Sequence, residues 1–159
     1  MLEINIGKQK LEANNIVGIY GDTGTGKSCL MAQITYRLSM DFLGLKPLLL
    51  DGVMLSSLTE DTRNTYIQAI TDLANEYPVI LFIDGLELLR ESDISFYETL
   101  TDKANKGEWK LIYTSQEATE DFYWDNSILL YTTKNADRYH AEIVLPAGYG
   151  VEDVTVPSF

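Results

Sequence analysis

Gly21-Asp22-Thr23-Gly24-Thr25-Gly26-Lys27-Ser28 decides the fold. The stretch fits G-x-x-x-x-G-K-[ST], the phosphate-cradling P-loop. Its glycines let the backbone turn sharply and point successive N–H groups at an anion. Lys27 is placed to reach β- and γ-phosphates, and the Ser28 hydroxyl to ligate Mg²⁺. Gly21, Asp22, Thr23, Gly24, Thr25, Gly26, Lys27 and Ser28, with Cys29 beside them, form the candidate nucleotide-binding set. With Gly at about 7% of residues, a chance match in a chain of this length has odds of roughly 0.5%. The flanks agree with the motif. Ile16-Val17-Gly18-Ile19-Tyr20 reads as a short buried strand, and Leu30, Met31, Ile34 and Leu38 follow at helical spacing.

A chain of 159 residues is expected to form one domain over residues 1–159, large enough for a real core. Apolar residues make up 45% and charged residues 23%, ordinary values for a globular protein. No apolar run reaches membrane-spanning length, and Met1-Leu2-Glu3-Ile4 does not open a signal peptide, so the expected place is the cytoplasm, away from any membrane. The single Cys29 has no internal disulfide partner and is expected to pack rather than react. A net charge of −12 repels nucleic acid at long range, because phosphate affinity comes mainly from Lys and Arg. Direct, tight DNA binding by a monomer is therefore disfavoured, while a local basic rim or an assembled ring stays compatible with it.

Strand and helix patterns alternate along the chain. Leu2, Ile4, Ile6 and Leu11 predict a strand or hairpin ahead of the P-loop strand, and the P-loop helix is predicted to run to about Phe42. Lys46-Pro47 opens a strand ending at Asp51-Gly52. Ser57-x-x-Glu60 reads as a capping box, with Tyr66, Ile67, Ile70, Leu73, Ala74 and Tyr77 on one face of the helix that follows. Val79 to Ile83 is apolar throughout, as a central parallel strand requires. A helix is predicted around Ser92 to Lys106, stopped by Gly107. Leu111–Tyr113, Ile128–Tyr131 and Ala141–Leu145 read as strands, with partly antiparallel pairing in this last group. The fold class is α/β, three layers around a mostly parallel sheet.

In such a sheet, ligands sit at the carboxyl ends of the strands. Asp84 follows a run of apolar residues, the Walker B pattern, and is the second candidate Mg²⁺ ligand beside Ser28. Thr114-Ser115-Gln116 ends another strand, and Gln116 takes the place of a γ-phosphate sensor. The general base is open between Glu87 and Asp51, since Gly85 directly follows Asp84. Lys27, Asp84, Gln116, Glu87 and Asp51 are thus the candidate catalytic residues. No Asn/Thr-Lys-x-Asp guanine-reading motif is present. Phe122-Tyr123-Trp124 has aromatic rings able to stack bases, but Glu120, Asp121 and Asp125 flank it, which favours core packing or a protein contact.

From the P-loop onward the chain resembles the RecA/RadA recombinase superfamily, including its clock-protein-like ATPases. The resemblance rests on Gly21 to Ile34, Leu48 to Asp51, Ile80 to Asp84, Leu111 to Gln116 and Leu129 to Val144. It implies a P-loop NTPase fold of the RecA-like, additional-strand type, with ATP and Mg²⁺ as cofactors and Gln116 as the nucleotide sensor. It also implies Lys134 or Arg138 as a trans-acting cation reaching a neighbouring subunit's nucleotide. Family members usually carry a Glu two residues after the Asp that ends the second strand, where this chain has Val53, and a long DNA-binding loop after the sensor Gln. Only residues 117–127 stand in that place, so the chain reads as a minimal core, an accessory paralogue rather than a recombinase.

The first functional expectation is a MgATP-binding, ATP-hydrolysing RecA-like protein, slow in turnover, acting in DNA metabolism or its regulation as a homo-oligomer or with a related ATPase. A translocating ATPase of the FtsK/HerA or viral DNA-packaging kind is the second. The third is a nucleotide-gated protein-interaction module with little or no hydrolysis. A small-molecule kinase ranks below these, because residues 92–106 hold no arginine for a lid.

Overall fold

A computed structural model describes residues 2–6, 9–41, 45–135, 138–144 and 151–156, with side chains at 2, 14–38, 45–123 and 125–133. The chain runs β1 (Leu2–Ile6), β2 (Gln9–Ala13), β3 (Ile16–Tyr20), α1 (Lys27–Asp41), β4 (Lys46–Asp51), α2 (Gly52–Ser57) and α3 (Glu60–Glu76). It continues with β5 (Val79–Asp84), α4 (Leu86–Ser92), α5 (Ile94–Asn105), β6 (Lys110–Ser115), β7 (Ser127–Asn135), β8 (Arg138–Val144) and β9 (Val151–Val156). β1 and β2 form an antiparallel hairpin, as the alternation of Leu2, Ile4 and Ile6 predicts. The main sheet has the order β4-β5-β6-β3-β7-β8-β9. Its first five strands are parallel, while β8 and β9 pair antiparallel beyond β7. The expected antiparallel pairing therefore begins only at β8.

Alternation along the strands sorts the core into two halves. Ile80 and Phe82 join Val17, Ile19, Ile112, Ile128 and Leu130 against the α1 residues Leu30, Met31, Ile34 and Leu38. Leu81 and Ile83 face the opposite way, with Leu50, Leu111 and Leu129, against α2 to α5. Each such side chain, removed fully from water, contributes about 1.5–3 kcal/mol before conformational entropy is counted. These are the three layers that the sequence predicts.

Three local readings need correction. Ser57 does not cap a helix; it ends α2, and Thr59 caps α3 by accepting from Thr62 N at 3.4 Å. The displacement has a cause in Asp51, whose carboxylate accepts from Val53 N and Met54 N and so starts α2 directly from the strand end. On α3, Ile67, Ile70 and Ala74 are buried, but Leu73 and Tyr77 are exposed, a narrower apolar stripe than the spacing suggests. The helix predicted from around Ser92 to Lys106 forms as α5 but begins two residues later, at Ile94, because Ser92 ends α4 and the Asp93 side chain caps α5 by accepting from Phe96 N at 3.0 Å.

β4 forms one edge of the sheet, where Pro47 brings no N–H and the Leu49 carbonyl accepts from Tyr66 Oη at 3.1 Å. Among the described residues, no helix is long and apolar enough to cross a membrane.

The middle of the sheet leaves no room at Gly18. It sits between Tyr113 and Leu129 in register, and a Cβ there would lie 2.4 Å from Tyr113 Oη and 2.5 Å from Leu129 Cδ2. The Tyr113 ring stacks on Phe122 with centroids 5.1 Å apart, and its buried hydroxyl has no hydrogen-bond partner among the described residues. Gly18→Ala is expected to destabilise the fold by about 1–3 kcal/mol through overpacking. Tyr113→Phe removes a buried unpaired hydroxyl and is expected to be neutral or stabilising by about 1 kcal/mol. Urea unfolding of both variants checks this; a Tyr113→Phe protein weaker than wild type would mean that the hydroxyl is satisfied after all.

Candidate active site

The P-loop leaves β3 at Gly21 and enters α1 at Lys27. Gly24 and Gly26 take left-handed backbone angles, φ 81° and 91°, which a side chain would strain. The loop closes on itself through Lys27, whose ammonium donates to Gly21 O at 2.6 Å and Asp22 O at 3.0 Å. Thr23, Gly24, Gly26, Lys27, Ser28 and Cys29 line a cavity of about 370 Å³ at the start of α1. There the helix dipole and free N–H groups favour an anion. Cys29 is exposed at this mouth rather than packed. The core-facing stripe of α1 starts one residue later, at Leu30.

Strand order brings the remaining candidates to the loop. β6 lies between β5 and β3, paired in parallel with both, so the Asp84 and Ser115 ends flank the P-loop side by side. Ser28 Oγ lies 3.1 and 3.0 Å from the two Asp84 oxygens and donates to that carboxylate. Thr114 Oγ1 donates to Asp84 Oδ1 at 2.6 Å and accepts from Gly85 N at 2.9 Å. Asp84 is thus held by a hydroxyl from each neighbouring segment. Gln116 Nε2 donates to Thr23 Oγ1 at 3.1 Å, placing the predicted sensor against the loop.

The two candidate bases part company. Asp51 and Asp84 are register neighbours at the ends of β4 and β5, and the Asp51 carboxylate is taken up in starting α2. Glu87 stands half-buried in the first turn of α4 and shares a cavity of about 460 Å³ with Gln116, Arg90 and Tyr97. Val53, where a glutamate was expected by resemblance, is exposed and binds Asp51 through its amide. Lys134 and Arg138 fall at the paired ends of β7 and β8, where Asn135 pairs Arg138 and Lys134 pairs Tyr139; their side chains lie outside the described residues. Phe122 packs in the core, Tyr123 is exposed, and the Trp124 side chain lies outside the described residues.

Thr114, and Thr132 of β7, whose Oγ1 lies 2.8 Å from Thr25 Oγ1 of the loop, are contacts of the site that the motifs do not mark. Thr114 stood inside the quoted Thr-Ser-Gln run, so its position was visible but its partner was not. Thr132 carries no motif at all. Among the described residues, no group of three or more His, Cys, Asp or Glu could hold a metal ion. The groups that do converge, the Ser28 and Thr114 hydroxyls on the Asp84 carboxylate, offer hard oxygen atoms, the kind Mg²⁺ takes when phosphates and water complete its shell.

Comparison with known proteins bears on this geometry. The family model described as "ATPase family associated with various cellular activities (AAA)" matches residues 17–148. No curated protein sequence matches the chain. Among solved structures, the cytoplasmic domain of EssC superposes with a TM-score of 0.67 at 12% identity, covering 100% of this chain and 46% of that one. The cytoplasmic domain of the Type VII secretion ATPase EccC from Thermomonospora curvata gives 0.69 at 15%, covering 99% of this chain and 26% of that one. The genome packaging NTPase of Sulfolobus turreted icosahedral virus 2, in complex with ATP-gammaS, gives 0.62 at 13%, covering 93% of this chain and 100% of that one. The chain thus spans less than half the length of the EssC and EccC chains, and at these identities the likeness is one of fold.

Beside the Glu87 cavity, Tyr97 Oη donates to Asp121 Oδ2 at 2.5 Å. Burial first, and that bond second, push its pKa up to about 12. An unfolded Tyr ionises near 10, so between about pH 10 and 12 the unfolded state sheds a proton that the folded state keeps. The contribution is complete below pH 10 and is lost as pH rises toward 12. Thermal unfolding followed from pH 9 to 12 should show this decline, and Tyr97→Phe should make it shallower, the buried Tyr113, whose burial also pushes its pKa up, supplying the rest; an equally steep decline in the variant would remove Tyr97 as a source.

Proposed function

The chain belongs to the ATPase family associated with various cellular activities, and we propose that its P-loop and Asp84 form one MgATP site in a single domain over residues 1–159. The protein is an ATPase of the P-loop type, and ATP is its nucleotide. The observation that carries the Mg²⁺ assignment is the cluster of Ser28, Asp84 and Thr114 hydroxyl and carboxylate oxygens beside Lys27. Ser28 and Asp84 would hold the ion, which when bound neutralises charge on the β- and γ-phosphates. Gly21 to Cys29 line the phosphate site, and Lys27 turns from the loop carbonyls to the phosphates.

Gln116, already bonded to Thr23 on the loop, is the sensor of the γ-phosphate. Glu87 is the general base, because the Asp51 carboxylate is engaged in capping and Gly85 offers no side chain. A base displaced onto α4 fits slow turnover. The finer placement, a minimal RecA-like core, is supported by the position of β6 between β3 and β5. On that reading the protein assembles with itself or a related ATPase, Lys134 or Arg138 faces the neighbour's nucleotide, and the task lies in DNA metabolism or its regulation. The net charge of −12 argues that any nucleic acid is met by the assembly rather than by one copy.

Phosphate release tests the site. Lys27→Ala and Asp84→Ala should each lower turnover by about 100-fold or more, the scale of losing one electrostatic stabiliser. Glu87→Gln should lower kcat by about 10²–10⁴-fold with nucleotide binding retained, and Asp51→Asn should stay within a few-fold of wild type. Unchanged turnover in Lys27→Ala would sink the P-loop assignment, and a larger loss in Asp51→Asn than in Glu87→Gln would move the base to Asp51. Light scattering with and without MgATP, and turnover with DNA at graded salt, test the assembly and the nucleic-acid link: no growth in size and no DNA response would leave a self-contained ATPase.

A further inference from the structure

A polar side chain sealed inside an apolar sheet needs a partner, and Thr132 has one of consequence. It lies on β7 with none of its surface exposed, between Tyr131 and Thr133 and beyond the buried run Ile128, Leu129 and Leu130. Its Oγ1 is 2.8 Å from Oγ1 of Thr25, itself buried within the P-loop. Thr25 Oγ1 donates to Asp22 O at 2.7 Å. Thr132 Oγ1 also lies 3.3 Å from Tyr20 O; with the Thr25 proton given to Asp22 O, Thr132 is the donor in the shorter contact between the two threonines, and Tyr20 O is its longer alternative acceptor. The chain of bonds then runs Thr132 to Thr25 to the Asp22 carbonyl, the same carbonyl that accepts from Lys27 Nζ at 3.0 Å. Close packing reinforces it, since a Cβ on Gly21 would lie 2.4 Å from Thr132 O and 2.6 Å from Thr132 Oγ1.

We propose that Thr132 is a positioning residue for nucleotide binding, holding the P-loop and its lysine in the phosphate-accepting shape through the hydroxyl of Thr25. Thr132 touches no nucleotide; it acts through Thr25. The proposal rests on the reading of Gly21 to Ser28 as the nucleotide site. It gives β7 a mechanical connection to that site: the strand that pairs β8 as far as Asn135 and Arg138 also sets the loop. Displacement of the hairpin by a partner would be felt at Asp22 and Lys27.

The test compares Thr132→Val, which lacks the hydroxyl, with Thr132→Ser, which keeps it. Binding of a fluorescent ATP analogue with Mg²⁺, and kcat against KM for ATP, are read in the full chain. Thr132→Val should weaken nucleotide binding and raise KM about five- to tenfold, the scale of one neutral hydrogen bond, with kcat within about twofold and Thr132→Ser near wild type. In a double-mutant cycle, Thr25→Val with Thr132→Val should lose less than the product of the two single losses, because the shorter of the two Thr132 contacts is made to Thr25, the other being Tyr20 O at 3.3 Å. Hydrogen exchange of the free protein adds a readout that needs no nucleotide: the Thr25 amide, bonded to Asp22 O, should exchange faster in Thr132→Val and not in Thr132→Ser. If wild type itself bound no MgATP, the nucleotide reading would fall while the exchange arm still decided the latch. Wild-type exchange and affinity in Thr132→Val, or losses that multiply in the double variant, would overturn the proposal. Should Thr132→Val fail to fold, the same comparison of Thr25→Val with Thr25→Ser decides it, since the latch predicts loosened exchange at residue 25 only where the hydroxyl is gone.

Discussion

A loop that offers bare backbone N–H groups to an anion cannot use those groups to hold itself together. Its shape must be imposed from outside, and here it is gripped from both flanking strands. On one side Gly21 N donates to Ser115 O at 3.2 Å, and Gln116 bonds Thr23. On the other, Thr132 meets Thr25. The parallel order β6-β3-β7 makes both grips possible, because it sets Ser115 and Tyr131 level with Tyr20, and β7 runs on beside the loop. Below the loop, at Gly18, Tyr113 and Leu129 close over the missing side chain and pack the three strands tightly together.

The same strand ends create an electrostatic problem. Asp51 and Asp84 are adjacent in register, and neighbouring strands run about 4.8 Å apart. Two carboxylates so placed raise each other's energy unless each has its own compensation. Asp51 finds it in the amides that open α2, and Asp84 in the hydroxyls of Ser28 and Thr114. The division leaves Asp84 facing the P-loop serine and commits Asp51 to the start of α2, so two acids that look alike in sequence make different contacts.

The layers, the sheet and the loop were legible because each is written in local periodicity or in a dense motif. Val79 to Ile83 could only be a central strand, and Gly21 to Ser28 could only be this loop. Asp84 and Gln116 were legible as strand ends, once the order of strands was assumed. What escaped was written in single residues whose partners are far along the chain. Asp51 was read as the end of a strand, so its helix and the shift of the cap from Ser57 to Thr59 were missed. Gly85, left-handed at φ 86°, starts α4 without a side-chain cap, which removed the usual sequence signal. Thr132 lies 107 residues from Thr25, and no spacing rule connects them.

The β4 edge carries a consequence for how copies of this chain can meet. A sheet grows by adding a strand to a row of open backbone groups. Along β4 that row is broken, since Pro47 donates nothing and the Leu49 carbonyl is already claimed by Tyr66. Leu49 nonetheless leaves its side chain in water, more than half exposed. The edge is therefore closed to backbone zippering and open to side-chain contact. A neighbour arriving here would be recognised by shape and apolar fit, and it could leave again without unravelling a ladder.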